Sequence, residues 1–197
     1  METQMQKLTR DKLMTLEAYA KARKDFRALV LAHKKPRTVH LGEHVTLIFE
    51  DELTIRYQVQ EMLRIERIFE DQGIQHELDS YNPLIPDGGN WKATMLIEYP
   101  DADERRRMLA LLKGVERRVW VQVGGGARIY AVADEDLERE NDDKTSSVHF
   151  LRFELGVEAR GELRRGGALA MGIDHPNYDV RAEIGAATRD ALAGDLA

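Results

Sequence analysis

Apolar and polar residues alternate along this chain with two different periods, and the switches between them mark out its elements. Residues 51–72, DELTIRYQVQEMLRIERIFEDQ, follow the helical period of about 100° per residue. Ile55, Val59, Met62 and Phe69 then share one stripe, which predicts a single long amphipathic helix stopping near Gly73. Glu66 falls inside that stripe and Glu70 lies one turn further on. A carboxylate is thus expected on a core face, where it must be paired, hydrogen-bonded or protonated.

An earlier helix is predicted over about residues 9–33. Thr9 caps it, Leu8 and Leu13 have the hydrophobic-staple spacing, and Pro36 ends it. Its stripe is Leu16, Tyr19, Ala20, Phe26 and Val30, with Arg23 and Arg27 in the same arc. Period-two alternation marks strands at 44–50 and 92–99, on either side of the Glu66 helix and an irregular stretch, QHELDSYNPLIPDGGNW. Asp101 with Glu104 then opens a helix that uses Met108, Leu111, Leu112 and Val115 and breaks at Gly114. Residues 118–123 and 127–132 read as a hairpin around Gly124, Gly125 and Gly126. No Gly-Lys-Ser/Thr follows, so these glycines form a turn and not a phosphate loop.

Beyond an acidic loop at 134–147, expected to be mobile, come a strand at 148–155 and a short helix to Arg165. A strand at 168–173 and a last helix, from the Asp174–Tyr178 corner to about Leu192, complete the chain. The order predicts an α+β fold: a single domain over 1–197 with a mixed or mostly antiparallel sheet of about six strands, packed with about five helices.

Composition narrows the chemistry. The chain of 197 residues has no cysteine, which removes thiolate metal sites, an iron–sulfur cluster of its own, disulfides and thiol nucleophiles. Its N-terminus is polar and no apolar run approaches the roughly 20 residues of a membrane span, so a cytoplasmic protein is expected. The net charge of −6 hides an asymmetry: residues 7–37 carry a local +7 and residues 134–144 a local −5. The basic charges are spaced along a helix without interleaved aromatics, which argues for a solvated face and against nucleic acid. A small anionic ligand and a homo-oligomer stay open.

Three places can carry chemistry. Glu66 and Glu70, at i and i+4, suit acid–base work or a divalent cation, although the Glu-x-x-His signature of helical di-iron sites is missing. The more economical reading is an internal ion pair of Glu66 with Arg23 or Arg27. The proline-rich stretch with Tyr81 and Asn82 reads as a structured wall or lid, or as an ordinary packed loop. The third place is His175 with Tyr178, at a strand end opening a helix, where backbone N–H groups favour anions. Together these predict a polar pocket of Glu66, Arg23, Arg27, Tyr81, Asn82, His175 and Tyr178. A mononuclear metal site would draw on Glu66, Glu70, His76 and His175. Neither an enzymatic reaction nor a catalytic residue follows from these features, and a structural or adaptor subunit is the rival class.

The blocks EHVTLIFEDELTIRYQVQEMLRIERIFE and ELDSYNPLIPDGGNWKATMLIEYPD, with GIDHPNY near the end, resemble the bacterial domain-of-unknown-function family 3501 over residues 8–192. That resemblance brings no catalytic residues. It implies gene neighbours encoding rubrerythrin and a cysteine-rich iron–sulfur oxidoreductase, and hence an accessory or ligand-binding role beside a redox system whose metal centre a partner supplies.

Overall fold

A computed structural model of the chain describes residues 7–197. After a 3-10 turn at Arg10–Lys12, the elements run α1 (Leu16–Lys34), β1 (Thr38–Leu41), β2 (Val45–Phe49), α2 (Glu52–Ile65), α3 (Asp71–Tyr81) and β3 (Asn90–Ile97). Then come α4 (Ala102–Leu111), β4 (Val119–Val123), β5 (Ile129–Tyr130), β6 (Val132–Ala133) and β7 (Val148–Glu154). The last are α5 (Val157–Arg164), β8 (Leu169–His175), β9 (Tyr178–Glu183) and α6 (Ala186–Ala193).

The α+β class holds, but the single sheet divides into two antiparallel ones, β1-β2-β3-β7-β6 and β5-β4-β8-β9. Their apolar faces share the main core, with Phe49, Trp91, Met95 and Phe153 from one and Val121, Met171 and Ile173 from the other. The chain crosses between sheets at Ala131: Tyr130 pairs with Trp120, and Val132 with Arg152. On the open face of the second sheet Trp120 is buried above Gly172, its cross-strand partner, and beneath the Arg128 guanidinium 4.2 Å from the ring.

A second, smaller core joins α2 and α3 through Ile55, Val59, Leu63, Ile74 and Leu78, with Leu8 and Ile85 added from flanking segments. Here the long helix predicted over 51–72 is two helices. The first ends at Ile65 because Arg67 turns left-handed at φ 55° and the Ile68 N–H reaches back to the Leu63 carbonyl at 2.9 Å. That is a Schellman-type stop with arginine where glycine is usual. Gly73 is not the stop. It lies in the first turn of α3, where an added Cβ would sit 2.7 Å from Ile68, so it permits the close return of the second helix. The irregular stretch likewise shrinks, because its first half is α3.

The capping of the first helix also shifts. Thr9 leads only the 3-10 turn, while Thr15 caps α1 by accepting from the Ala18 N–H. Residues 174–178 form a hairpin turn between β8 and β9, so no helix opens there and the anion site expected at a helix N-terminus is lost. The start of the acidic loop is bonded to the sheet. Asp134 accepts from the Phe150 N–H and pairs with buried His149 at 2.6 Å, and both Asp134 and Asp136 engage Arg139.

Candidate functional site

The charge pair expected between the first two helices exists with a different acid. Arg23 donates two parallel bonds to Glu61, at 2.8 and 2.9 Å, and the Tyr19 hydroxyl donates a third at 2.6 Å. The Arg23 guanidinium, helped by Arg64 and Tyr19, holds the Glu61 carboxyl down at about 2 against the cost of burial. Glu66 caps the end of α2 and is exposed, as are Arg27, Glu70 and His76.

The other predicted residues work as braces. Asn82 clamps the Leu8 backbone with one accepted and one donated bond, at 2.7 and 3.0 Å. Tyr81 is half-buried against the smaller core, and burial pushes its hydroxyl up. His175 is buried with both ring nitrogens engaged, Nε2 donating to the Lys113 carbonyl and Nδ1 accepting from the Asn177 N–H. The Tyr178 hydroxyl donates to the Leu41 carbonyl and accepts from the His44 N–H, tying β9 to the β1–β2 turn. The predicted pocket is therefore not assembled from these residues, because its helix wall ends early and its histidine corner is a hairpin. Nor do Glu66, Glu70, His76 and His175 meet: among the described residues no group of three or more carboxylates and histidines is placed to hold a metal.

A different cavity occupies the outer face of the first sheet, and the proline-rich segment does wall it. The registers of β2, β3 and β7 send Phe49, Ala93 and Leu151 into the main core, so their neighbours Glu50, Lys92, Thr94, Phe150 and Arg152 face the other way. Pro83 and Leu84 roof this face, and Glu135 and Asp136, continuing from the tied Asp134, close one side. The cavity, open on one side, has a volume of about 280 Å³ and largely apolar walls. It shares Pro83, Lys92, Glu135 and Arg152 with a wider groove of about 670 Å³ that continues toward Asp87 and Glu154.

Its polar groups differ sharply in how they are satisfied. Arg152 is paired on both sides, forking onto Glu135 with two bonds of 2.8 Å and pairing with Glu154. Those bonds push the guanidinium up and the Glu135 carboxyl down. Lys92 is half-buried and gives its Nζ to the Pro83 carbonyl at 2.6 Å; burial pushes this amine below the ordinary lysine range.

Glu50 is only 3% exposed. One carboxylate oxygen accepts from the Thr54 hydroxyl at 2.5 Å and the other from the Thr94 hydroxyl at 2.7 Å. No Lys, Arg or His among the described residues forms an ion pair with it. Its position is fixed by the next residue: Asp51 caps α2 through the Thr54 N–H in a reciprocal capping box, which brings the Thr54 hydroxyl to Glu50. Buried Arg37 reinforces this corner by binding the Phe49 and Glu50 carbonyls and pairing with Asp51 and Asp195. Period-two alternation alone places Glu50 and Lys92 on polar faces. That those faces are one face, and roofed, depends on strand pairing between distant segments.

The fold and this cavity define an α+β protein with a roofed, acid-lined sheet face. By sequence, the chain belongs to the family described as protein of unknown function (DUF3501), whose model matches residues 7–196. Among solved structures it is similar to a novel protein of unknown function from Burkholderia pseudomallei K96243, with 55% identity, a TM-score of 0.93, and coverage of 98% of this chain and 100% of that one. No curated protein matches it. No helix of the described residues is long and apolar enough to cross a membrane.

Proposed function

We propose that this chain is a small-ligand-binding protein whose site is the cavity between Glu50, Lys92 and the Pro83–Leu84 roof. The observation that carries this reading is the combination of largely apolar walls with a buried carboxylate that forms no ion pair with any Lys, Arg or His of the described residues. Burying such a group costs several kcal/mol unless something offsets it, and ligand sites combine apolar walls with a few placed polar groups in this way. In the cell it acts in the cytoplasm as an accessory component beside the iron–sulfur oxidoreductase and rubrerythrin implied by the family resemblance. Any iron–sulfur cluster is then the partner's, since the chain has no cysteine.

The test is a set of small amines, carboxylates and alcohols titrated into isotope-labelled protein, with backbone amide shifts followed. Shifts clustering at Leu84, Lys92, Phe150 and Arg152 are expected. Shifts confined to other surfaces, or none, would reject the reading.

A second reading, an adaptor subunit, draws support from one patch. Phe69 is 70% exposed and lines a groove of about 250 Å³ with Leu13, Leu16 and Ile68 and with the polar Arg10 and Thr15. Exposed apolar residues beside a groove mark partner surfaces. If this reading holds, Phe69→Glu abolishes association with the iron–sulfur protein while cavity variants leave it intact.

A further inference from the structure

The geometry points to a ligand that carries a protonated amine or another compact cation on a short apolar body, with Glu50 as its counter-ion. This inference rests on the ligand-binding reading and gives that site a chemical class.

Four observations carry it. First, both Glu50 partners are neutral hydroxyls, one at each carboxylate oxygen, so neither brings a counter-charge. A carboxylate has about four acceptor positions, so roughly two are left for a further donor. Second, every other charge facing the cavity already has a partner. Arg152 holds Glu135 and Glu154, Asp136 holds Arg139, and the Lys92 amine is turned to the Pro83 carbonyl.

Third, three basic against six acidic side chains line the cavity and its groove, so the field at the entrance favours a cation. Fourth, the walls around Glu50 are Pro83, Leu84 and Phe150, which suit an alkyl or aryl body. A ligand ammonium would complete the carboxylate's bonding, as a protein lysine or arginine does at most buried acids. Lys92 does not take that part, because its amine is held by the roof.

The experiment compares n-pentylammonium, pentanoate and 1-pentanol, equal in chain length and different in charge, by amide-shift titration of the full chain. Wild type, Glu50→Gln and Lys92→Met are used. The expected result is pentylammonium binding at least tenfold tighter than either analogue in wild type, and weakened at least tenfold in Glu50→Gln. Pentanoate binding best, and lost in Lys92→Met, overturns the inference while leaving the ligand-binding reading intact. Pentanol binding as well as pentylammonium also overturns it. Silence from all three overturns it too, and extends to the ligand-binding reading if the wider fragment set is equally silent. Should Glu50→Gln fail to fold, the affinity order in wild type decides the matter, with Thr94→Val, which leaves one oxygen of Glu50 without its hydroxyl, as the second variant.

Discussion

Glu50 and Lys92 face the same side of one sheet, joined through the bond from the Glu50 N–H to the Lys92 carbonyl at 2.8 Å, yet their side chains turn to other partners. The lysine amine serves the Pro83 carbonyl and the carboxylate serves two threonine hydroxyls. With the amine held by the roof, the acceptor positions left on the Glu50 carboxylate are the ones open to a ligand.

The amine reports its surroundings directly. Burial, the largest influence on Lys92, opposes its charged form. Its side-chain nitrogen is therefore expected to titrate below the other lysines when followed by NMR. Because its folded pKa is depressed, the unfolded chain binds more protons between the two values, and this group's contribution to stability rises with pH there. Titration of Lys92 together with the surface lysines would contradict the burial assigned to it.

Glu61 should matter most at neutral pH. Its carboxyl is held at about 2, below the ordinary value of 4.5, first by its bonds from Arg23. A depressed folded pKa gives stability that is present above about 4.5 and is lost as pH falls through about 2. Glu61→Gln is expected to cost about 2 kcal/mol at pH 7. In urea melts the gap between wild type and variant should narrow below pH 4.5, whereas a gap independent of pH would remove the ion pair as its cause.

Arg67 holds the left-handed turn that separates the second and third helices. A side chain there costs roughly 1 kcal/mol that glycine avoids. Arg67→Gly is accordingly expected to raise thermal stability by a few degrees, the reverse of what glycine does inside a helix. A lowered melting temperature would mean that the residue is helical.

The same position explains much of what the sequence hid. Amphipathic period, strand alternation and the Asp101 cap were legible, and with them the α+β class. The break at Arg67 carries no glycine or proline, so a one-helix reading ran through it and set Glu66 on a core face. The interhelical Arg–Glu pair was legible in kind, from Arg23, but its acid proved to be Glu61. Strand alternation in residues 168–173 continues across Pro176 and Asn177, and a histidine corner resembled a helix start because Asp and Asn favour turns and caps alike. The Glu50 cavity was beyond reach for another reason: three strands from separate parts of the chain must pair before its floor exists.

Gly172 marks a close approach that an aromatic residue requires. A Cβ there would come within 2.4 Å of the Trp120 ring and nearer still to the Val180 carbonyl. Backbone cannot yield as a side-chain end can, so Gly172→Ala is expected to lower stability by about 3 kcal/mol. Chemical denaturation measures this; a loss under about 0.5 kcal/mol, the range of ordinary surface changes, would mean that the ring is not seated there.

A crystal structure of the full chain with n-pentylammonium bound decides where the cation sits. The ammonium nitrogen is expected about 3 Å from a Glu50 carboxylate oxygen, with the alkyl chain between Leu84 and Phe150. An ammonium seated at Asp87 or Glu154 in the outer groove, with the Glu50 cavity empty, would contradict that placement.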